Sequence, residues 1–399
     1  MSIHNSILWG APKKFATQVA ERKISWLELF YDLVYVIVIS RITHYLAVHP
    51  GWEGIMDYVY LFAMAFWGWY NGSQYHDLHG SPGIRTRFMT LWQMVVVAAL
   101  AVTLGSPDEL LLSRATFGFL ILQGYVTYLW WSVGIYDKVH RKLNIPYTIC
   151  YLIAFSLILS TLYIPQPYKR IVFWITLVFN YIPPFLMSAL SGRTGKEFTQ
   201  SLSMVERLGL FTIIVFGEVI LGIINAIDTT GEFTVFMWLC FVLCILIVFA
   251  LWWIFFALIA DRACKSGLAT GSAMAMLYIP TLASLGMLGA TFPGIFSSSH
   301  EYVSNTADLH RIIHGVSIAI FLCSISAVSR YLVYPAEYQK SRRVLQPLLV
   351  ALGMAHLCIT LLFPQLPLIA YLLYVFICLF GIISYITRYW LGVEQGKLS

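Results

Sequence analysis

Residues 26–46 read WLELFYDLVYVIVISRITHYL. A helix over this stretch rises about 32 Å, enough to cross the ~30 Å hydrocarbon core of a bilayer. The run is apolar except for a few polar positions, and its charged residues are Glu28, Asp32 and Arg41. It reads as a membrane-spanning helix with charges placed at chosen points.

Segments of this type recur along the chain. Twelve are predicted, at approximately 26–46, 55–72, 86–104, 115–135, 145–163, 171–190, 208–227, 234–258, 269–290, 312–333, 345–362 and 366–387. Ser106-Pro107-Asp108, Pro165-Gln166-Pro167 and Phe363-Pro364-Gln365 supply turn chemistry between them. The last separator is short, so the eleventh and twelfth spans are expected to form a tight hairpin. Composition agrees: the 399 residues are 59% hydrophobic, 16% aromatic and 11% charged, with a mean hydropathy of +0.76. A soluble domain carries about 25% charged residues. These values exclude a water-soluble enzyme, a disordered chain and a nucleic-acid binder. The fold class is all-α, a polytopic transmembrane helical bundle of about twelve spans.

Orientation follows from the basic residues. The first 23 residues hold four of them and no long apolar core of a cleavable signal. The first apolar run is therefore expected to be retained. With the N-terminus inside and spans alternating, only Arg114, Lys169, Arg170 and Arg311 of the 25 Lys and Arg fall on the outer side. Arg41 lies within a span. The bias places both termini in the cytoplasm, for a protein of the bacterial cytoplasmic membrane. Lys169 and Arg170 are the local exception.

The two halves rhyme. ELFYDLVYVIVIS from Glu28 to Ser40 parallels ERLGLFTIIVFGE from Glu206 to Glu218. WGWY at Trp67–Tyr70 parallels WWIFF at Trp252–Phe256. The expectation is two parallel six-helix repeats, residues 1–190 and 191–399, a plan known among transporters.

Charges within spans are expensive, at least ~2.5–3.5 kcal/mol at a span centre. Glu28 and Asp32 lie one turn apart on one helix face, with Tyr31 and Tyr35 beside them. Three readings stand together: carboxylates suited to a helix N-terminus and interfacial water, an ion or proton site, or a pair with Lys or Arg. Glu218 lies about 15 Å into its helix, near the midplane. It must be protonated, paired or beside water. Gly217 and Gly222 are expected to allow close helix approach. Arg41 follows Ser40, the counterpart of Glu218 in the repeat, and points away from Asp32. An Arg41–Glu218 charge pair is the corresponding expectation.

His44, His310, His314 and His356 are expected to be core or interface histidines rather than metal or haem ligands. YHDLH at Tyr75–His79 is expected to be a solvated cytoplasmic loop. The seven cysteines, mostly within apolar runs, read as small buried residues with no disulfide framework. No phosphate-binding loop, nucleophile elbow or zinc-protease motif is present, so no catalytic residue, metal or cofactor is expected.

WLELFYDLVYVIVISRITHYL and ERLGLFTIIVFGEVI together resemble the bacterial low temperature requirement A (LtrA) membrane-protein family. Its pattern has Glu-x-Phe-x-Asp-Leu-Val in the first helix and Glu-Arg-Phe-Gly-Leu…Gly-Glu-Ser midway. Glu28, Phe30, Asp32, Leu33 and Val34 match the first, and Glu206, Arg207, Gly209, Leu210, Gly217 and Glu218 the second. Leu208 replaces Phe, Val219 replaces Ser, and Arg41 stands where a neutral polar residue is common. The resemblance covers most of the chain. The family's name records a growth trait, so the likeness implies a membrane fold and two motifs rather than a reaction. FYDLVYVIVIS also resembles the Phe-Ser-Asp motif helix of the endolysosomal and bacterial potassium-channel family, with Tyr31 in place of Ser. That likeness implies a permeation path flanked by the first and seventh helices.

The functional expectation is an ion- or proton-linked transporter or channel with Glu28, Asp32 and Glu218 on its pathway. Tyr31, Tyr35, Glu206, Arg207 and His44 support them. The alternatives are an intramembrane enzyme or lipid-handling protein, and a membrane sensor or assembly factor. Expected partners are the lipid bilayer and an ion or small solute, with homo-oligomer formation as a further option and no nucleic acid.

Overall fold

A computed structural model describes residue 13 and residues 23–80, 83–105, 111–138, 141–165, 168–192, 196, 198–230, 234–297 and 305–395. The turns expected at Ser106-Pro107-Asp108 and Gln166-Pro167 lie outside these. The described fold is all-helical. Its helices are α1 (Trp26–Val48), α2 (Trp52–His79), α3 (Ile84–Thr103), α4 (Leu111–Tyr136), α5 (Arg141–Ser160), α6 (Tyr168–Tyr181), α7 (Pro183–Ser191), α8 (Leu202–Thr230), α9 (Val235–Leu258), α10 (Leu268–Ser297), α11 (Asn305–Val328), α12 (Ala336–Leu362) and α13 (Leu368–Glu394).

Each predicted apolar segment lies on a helix, but the sixth is broken. Pro183 and Pro184 remove two backbone donors, and the chain re-starts at Ile182 as α7. Eight helical stretches are long and apolar enough to cross a membrane: α3, the α6–α7 stretch, and α8 to α13. Helices α1, α2 and α4 also have spanning length and carry more polar side chains. Large apolar residues stand exposed on the outward faces, among them Trp92, Ile121, Val178, Trp238, Leu361 and Phe380. Such an exterior suits lipid.

The chain forms two compact units. The first comprises residues up to Tyr45, Met56–Arg207 and Cys264–Ala273; the second comprises Leu46–Ile55, Leu208–Ala263 and the chain from Met274. Within the first, α4 packs on α3 and α5, and α5 packs on α6 and α7. Within the second, α11 packs on α12, and α9 on α13. The turn between α12 and α13 is as short as expected. Arg311 closes it, donating from Nη1 to the Pro364 and Leu366 carbonyls at 2.8 and 2.7 Å. Helix α13 nevertheless packs chiefly on α9 rather than on its hairpin partner.

Helix α2 differs from expectation. It continues through YHDLH, which is the buried last part of the helix and not a solvated loop. His76, Asp77 and His79 find partners inside the fold. His76 Nε2 meets Thr90 Oγ1 at 2.9 Å, and His79 Nδ1 meets the Lys13 carbonyl at 2.8 Å. Asp77 accepts from Ser201 at 2.5 Å and Ser203 at 2.7 Å. Ser201 in turn accepts from the Met204 backbone N–H at 3.1 Å, capping α8. Partners contributed by distant segments let a polar sequence stay helical and buried.

Arg170, one of the two basic residues set apart in the charge count, has an acidic partner. Arg170 makes a two-pronged contact with Asp57, at 3.2 and 3.3 Å, and Tyr45 donates to the same carboxylate at 3.4 Å. Its charge is compensated where it stands.

Candidate functional site

The site lies in the first unit and begins at the N-terminus of α1. Ser25 and Glu28 form a reciprocal cap. The Glu28 backbone N–H donates to Ser25 Oγ at 3.3 Å. Glu28 Oε2 accepts from the Ser25 backbone N–H and from its hydroxyl, both at 2.9 Å. This fixes the carboxylate at the helix start and leaves Oε1 facing inward.

One turn on, Asp32 is fully buried. Its Oδ1 accepts from Trp69 Nε1 at 2.7 Å and from Arg207 Nη2 at 2.5 Å. Arg207 Nε reaches Oδ2 at 3.4 Å, and Nη1 reaches Glu28 Oε1 at 3.5 Å. The Arg207 side chain is 1% exposed. Its guanidinium lies 5.6 Å from the Tyr31 ring centre and 5.8 Å from that of Trp69. Aromatic faces on a desolvated guanidinium add cation–π attraction. Of the readings open for Glu28 and Asp32, the helix-start role and the basic partner are both visible, and the partner is Arg207. Both carboxylates meet the same guanidinium.

Behind the ions lies a phenol and amide layer. Gln93 Nε2 donates to Tyr31 Oη at 2.7 Å, Tyr35 Oη at 3.1 Å and the Gly68 carbonyl at 3.3 Å. The WGWYNG stretch of α2 makes room for it. A side chain at Gly72 would strike Tyr31 Oη and both amide atoms of Gln93, and one at Gly68 would strike Leu122. A cavity of about 860 Å³ opens beside the cluster, lined by Lys13, Ser25, Glu28, His76, Arg87 and Thr90 among others. Glu28 lines it; Asp32 does not.

Tyr31, Tyr35 and Arg207 therefore join Glu28 and Asp32. The other expected residues stand elsewhere. Glu206, Arg41 and His44 are exposed. Glu218 is half-buried on α8 and belongs to the second unit, whereas Arg41 belongs to the first. Gly222 does meet a neighbouring backbone, at Gly289 of α10, but nothing approaches Gly217 within 4 Å. Close packing is confined to one of the two glycines because Gly217 faces outward.

Trp69, Gln93 and Ser25 complete the cluster and are not among the expected site residues. For Gln93 a signal exists. Gln93, Gln123 and Asn180 are each a lone amide within a predicted span, and a buried amide needs partners. Gln123 and Asn180 pair reciprocally through their side-chain amides, both bonds at 3.0 Å. Asn71 joins Tyr151 at 2.6 Å.

The family described as bacterial low temperature requirement A protein (LtrA) matches residues 23–379. That span holds both motifs and every residue of the buried cluster. No curated protein and no solved structure matches the chain.

Proposed function

As a member of the bacterial low temperature requirement A (LtrA) family, the chain is a multi-span membrane protein, and we propose that it is a transporter or channel linked to proton or cation occupancy of Glu28. The bacterial cytoplasmic membrane, with both termini inside, is its proposed location. The observation that carries the reading is the unequal sharing of Arg207. Asp32 has the short contact, a second donor in Trp69, and no access to the cavity. Glu28 has the 3.5 Å contact and lines the cavity.

A low-dielectric setting disfavours a bare carboxylate, and a proton or cation bound to it offsets that cost. Glu28 is the group that can receive one. Occupancy there weakens the Glu28–Arg207 attraction and leaves the guanidinium to Asp32, so loading alters how α1 is held to the start of α8. Glu218, within the span of α8, enters as a second candidate carboxylate. Its charge pair with Arg41 is part of the same proposal.

The test is pH-dependent ion flux through the purified protein in liposomes. Glu28→Gln keeps the shape and removes the exchangeable charge, and it is expected to lower proton-dependent flux at least tenfold. Flux unchanged by both Glu28→Gln and Glu218→Gln overturns the reading. A lipid-handling protein would instead show tightly retained lipid and no flux.

A further inference from the structure

The second unit contains a hydrogen-bonded chain of side chains separate from the cluster above. His314 Nδ1 on α11 lies 2.9 Å from Tyr371 Oη on α13. The same hydroxyl lies 3.2 Å from His356 Nε2 on α12. All three side chains are buried. Thr360 Oγ1, 3.4 Å from that hydroxyl, already donates to the His356 carbonyl at 2.9 Å.

The phenol has one proton and stands between two imidazole nitrogens. When it donates to one ring, the facing nitrogen of the other ring must donate to it. The tautomers of the two histidines are therefore tied together, and two arrangements satisfy the same geometry. They interconvert when a proton is taken up at the outer nitrogen of one ring, protons shift along the chain, and a proton leaves the outer nitrogen of the other ring. In both, His314 Nε2 is buried with no hydrogen-bond partner. In one of them it carries a bare lone pair.

The surroundings are specific. The Arg311 guanidinium on α11 lies 4.6 Å from the Tyr371 ring centre, with Asp308 acting on Arg311 from the same helix. The Cys244 thiol on α9 is the titratable neighbour of Tyr371 from that helix. Tyr374 on α13 stacks on His356 at 5.9 Å, and Phe292 on α10 meets the His314 ring edge-on at 5.8 Å.

We infer that His314, Tyr371 and His356 form a proton relay within the second unit. A proton binds His314 Nε2. The His314 Nδ1 proton moves to Tyr371 Oη while the phenol proton moves to His356 Nε2, and His356 releases a proton from Nδ1. One proton enters and one leaves, and no oxidant or reductant takes part. The relay deepens the proton-linked reading proposed above by giving the second unit its own route for the ion.

The test uses the full chain in lipid bilayers with ¹⁵N-labelled histidine, read by solid-state NMR, with His314→Gln and His356→Gln assigning the signals. In the unaltered protein each of the two rings should show nitrogen shifts averaged between protonated and bare values. Tyr371→Phe, which keeps the ring beside Arg311, should freeze each histidine into one tautomer. Rings already frozen in the unaltered protein overturn the relay, as do spectra unmoved by Tyr371→Phe. In liposomes the same substitution should lower proton entry at least tenfold, and equal entry overturns the relay. An unaltered protein without proton flux defeats the transport reading, while the ring spectra still decide the relay.

Discussion

Arg207 and Asp32, 175 residues apart in sequence, meet through Nη2 and Oδ1 at 2.5 Å. The contact ties the first helix to the start of α8 through two side chains that are both buried. Removing one partner of a buried ion pair costs about 3–5 kcal/mol, because the other is left uncompensated. Arg207→Met should therefore destabilise the protein by about that amount, measured as thermal unfolding in detergent. Adding Asp32→Asn should recover part of the loss. A double variant as unstable as the sum of the singles would show that the two do not act as a pair.

Glycine at 72 is a packing requirement. A Cβ there would strike Tyr31 Oη and approach the Gln93 amide atoms to 2.7 Å. Overpacking of this kind costs about 1–3 kcal/mol. Gly72→Ala is expected to lower the unfolding temperature clearly. Gly217→Ala, with nothing within 4 Å, should change stability by no more than about 0.5 kcal/mol. Equal effects at the two positions would remove the close-packing argument.

The proposed Arg41–Glu218 pair makes a separate prediction. Arg41→Glu and Glu218→Arg should each reduce the yield of folded protein in membranes. The double reversal should restore it, because the attraction is symmetric in sign. Failure of the double variant to recover would dissolve the pair and leave Glu218 to its other partners.

Burial pushes the Cys264 thiol, in the loop after α9, up to about 11. The reactive species is the thiolate. Cys264 is thus protonated at neutral pH, and its thiolate fraction rises about tenfold per pH unit until the pH approaches that value. Labelling by a charged maleimide should be slow at pH 7 and accelerate steeply toward pH 9, followed by mass spectrometry of the labelled peptide. Rapid labelling at pH 7 would contradict this.

Helix positions were readable because hydropathy is a local property that sums along the chain. The apolar segments follow from it directly. The same logic misreads residues 75–79, since YHDLH is polar when read locally and buried only because Thr90, Ser201, Ser203 and the Lys13 carbonyl meet it. It also passes over the break before Pro183, where two missing donors interrupt an otherwise continuous apolar run.

Eleven percent charge and a +0.76 mean hydropathy were sufficient to identify lipid as the solvent, and the motifs around Asp32 and Glu218 were sufficient to identify the family. Only the tertiary structure decided which charge answers which. Arg207 serves Asp32 fully and Glu28 partially, while its sequence neighbour Glu206 faces outward. Sequence proximity carries no information about that choice. In a desolvated interior the partner is set by which donor reaches the carboxylate across packed helices.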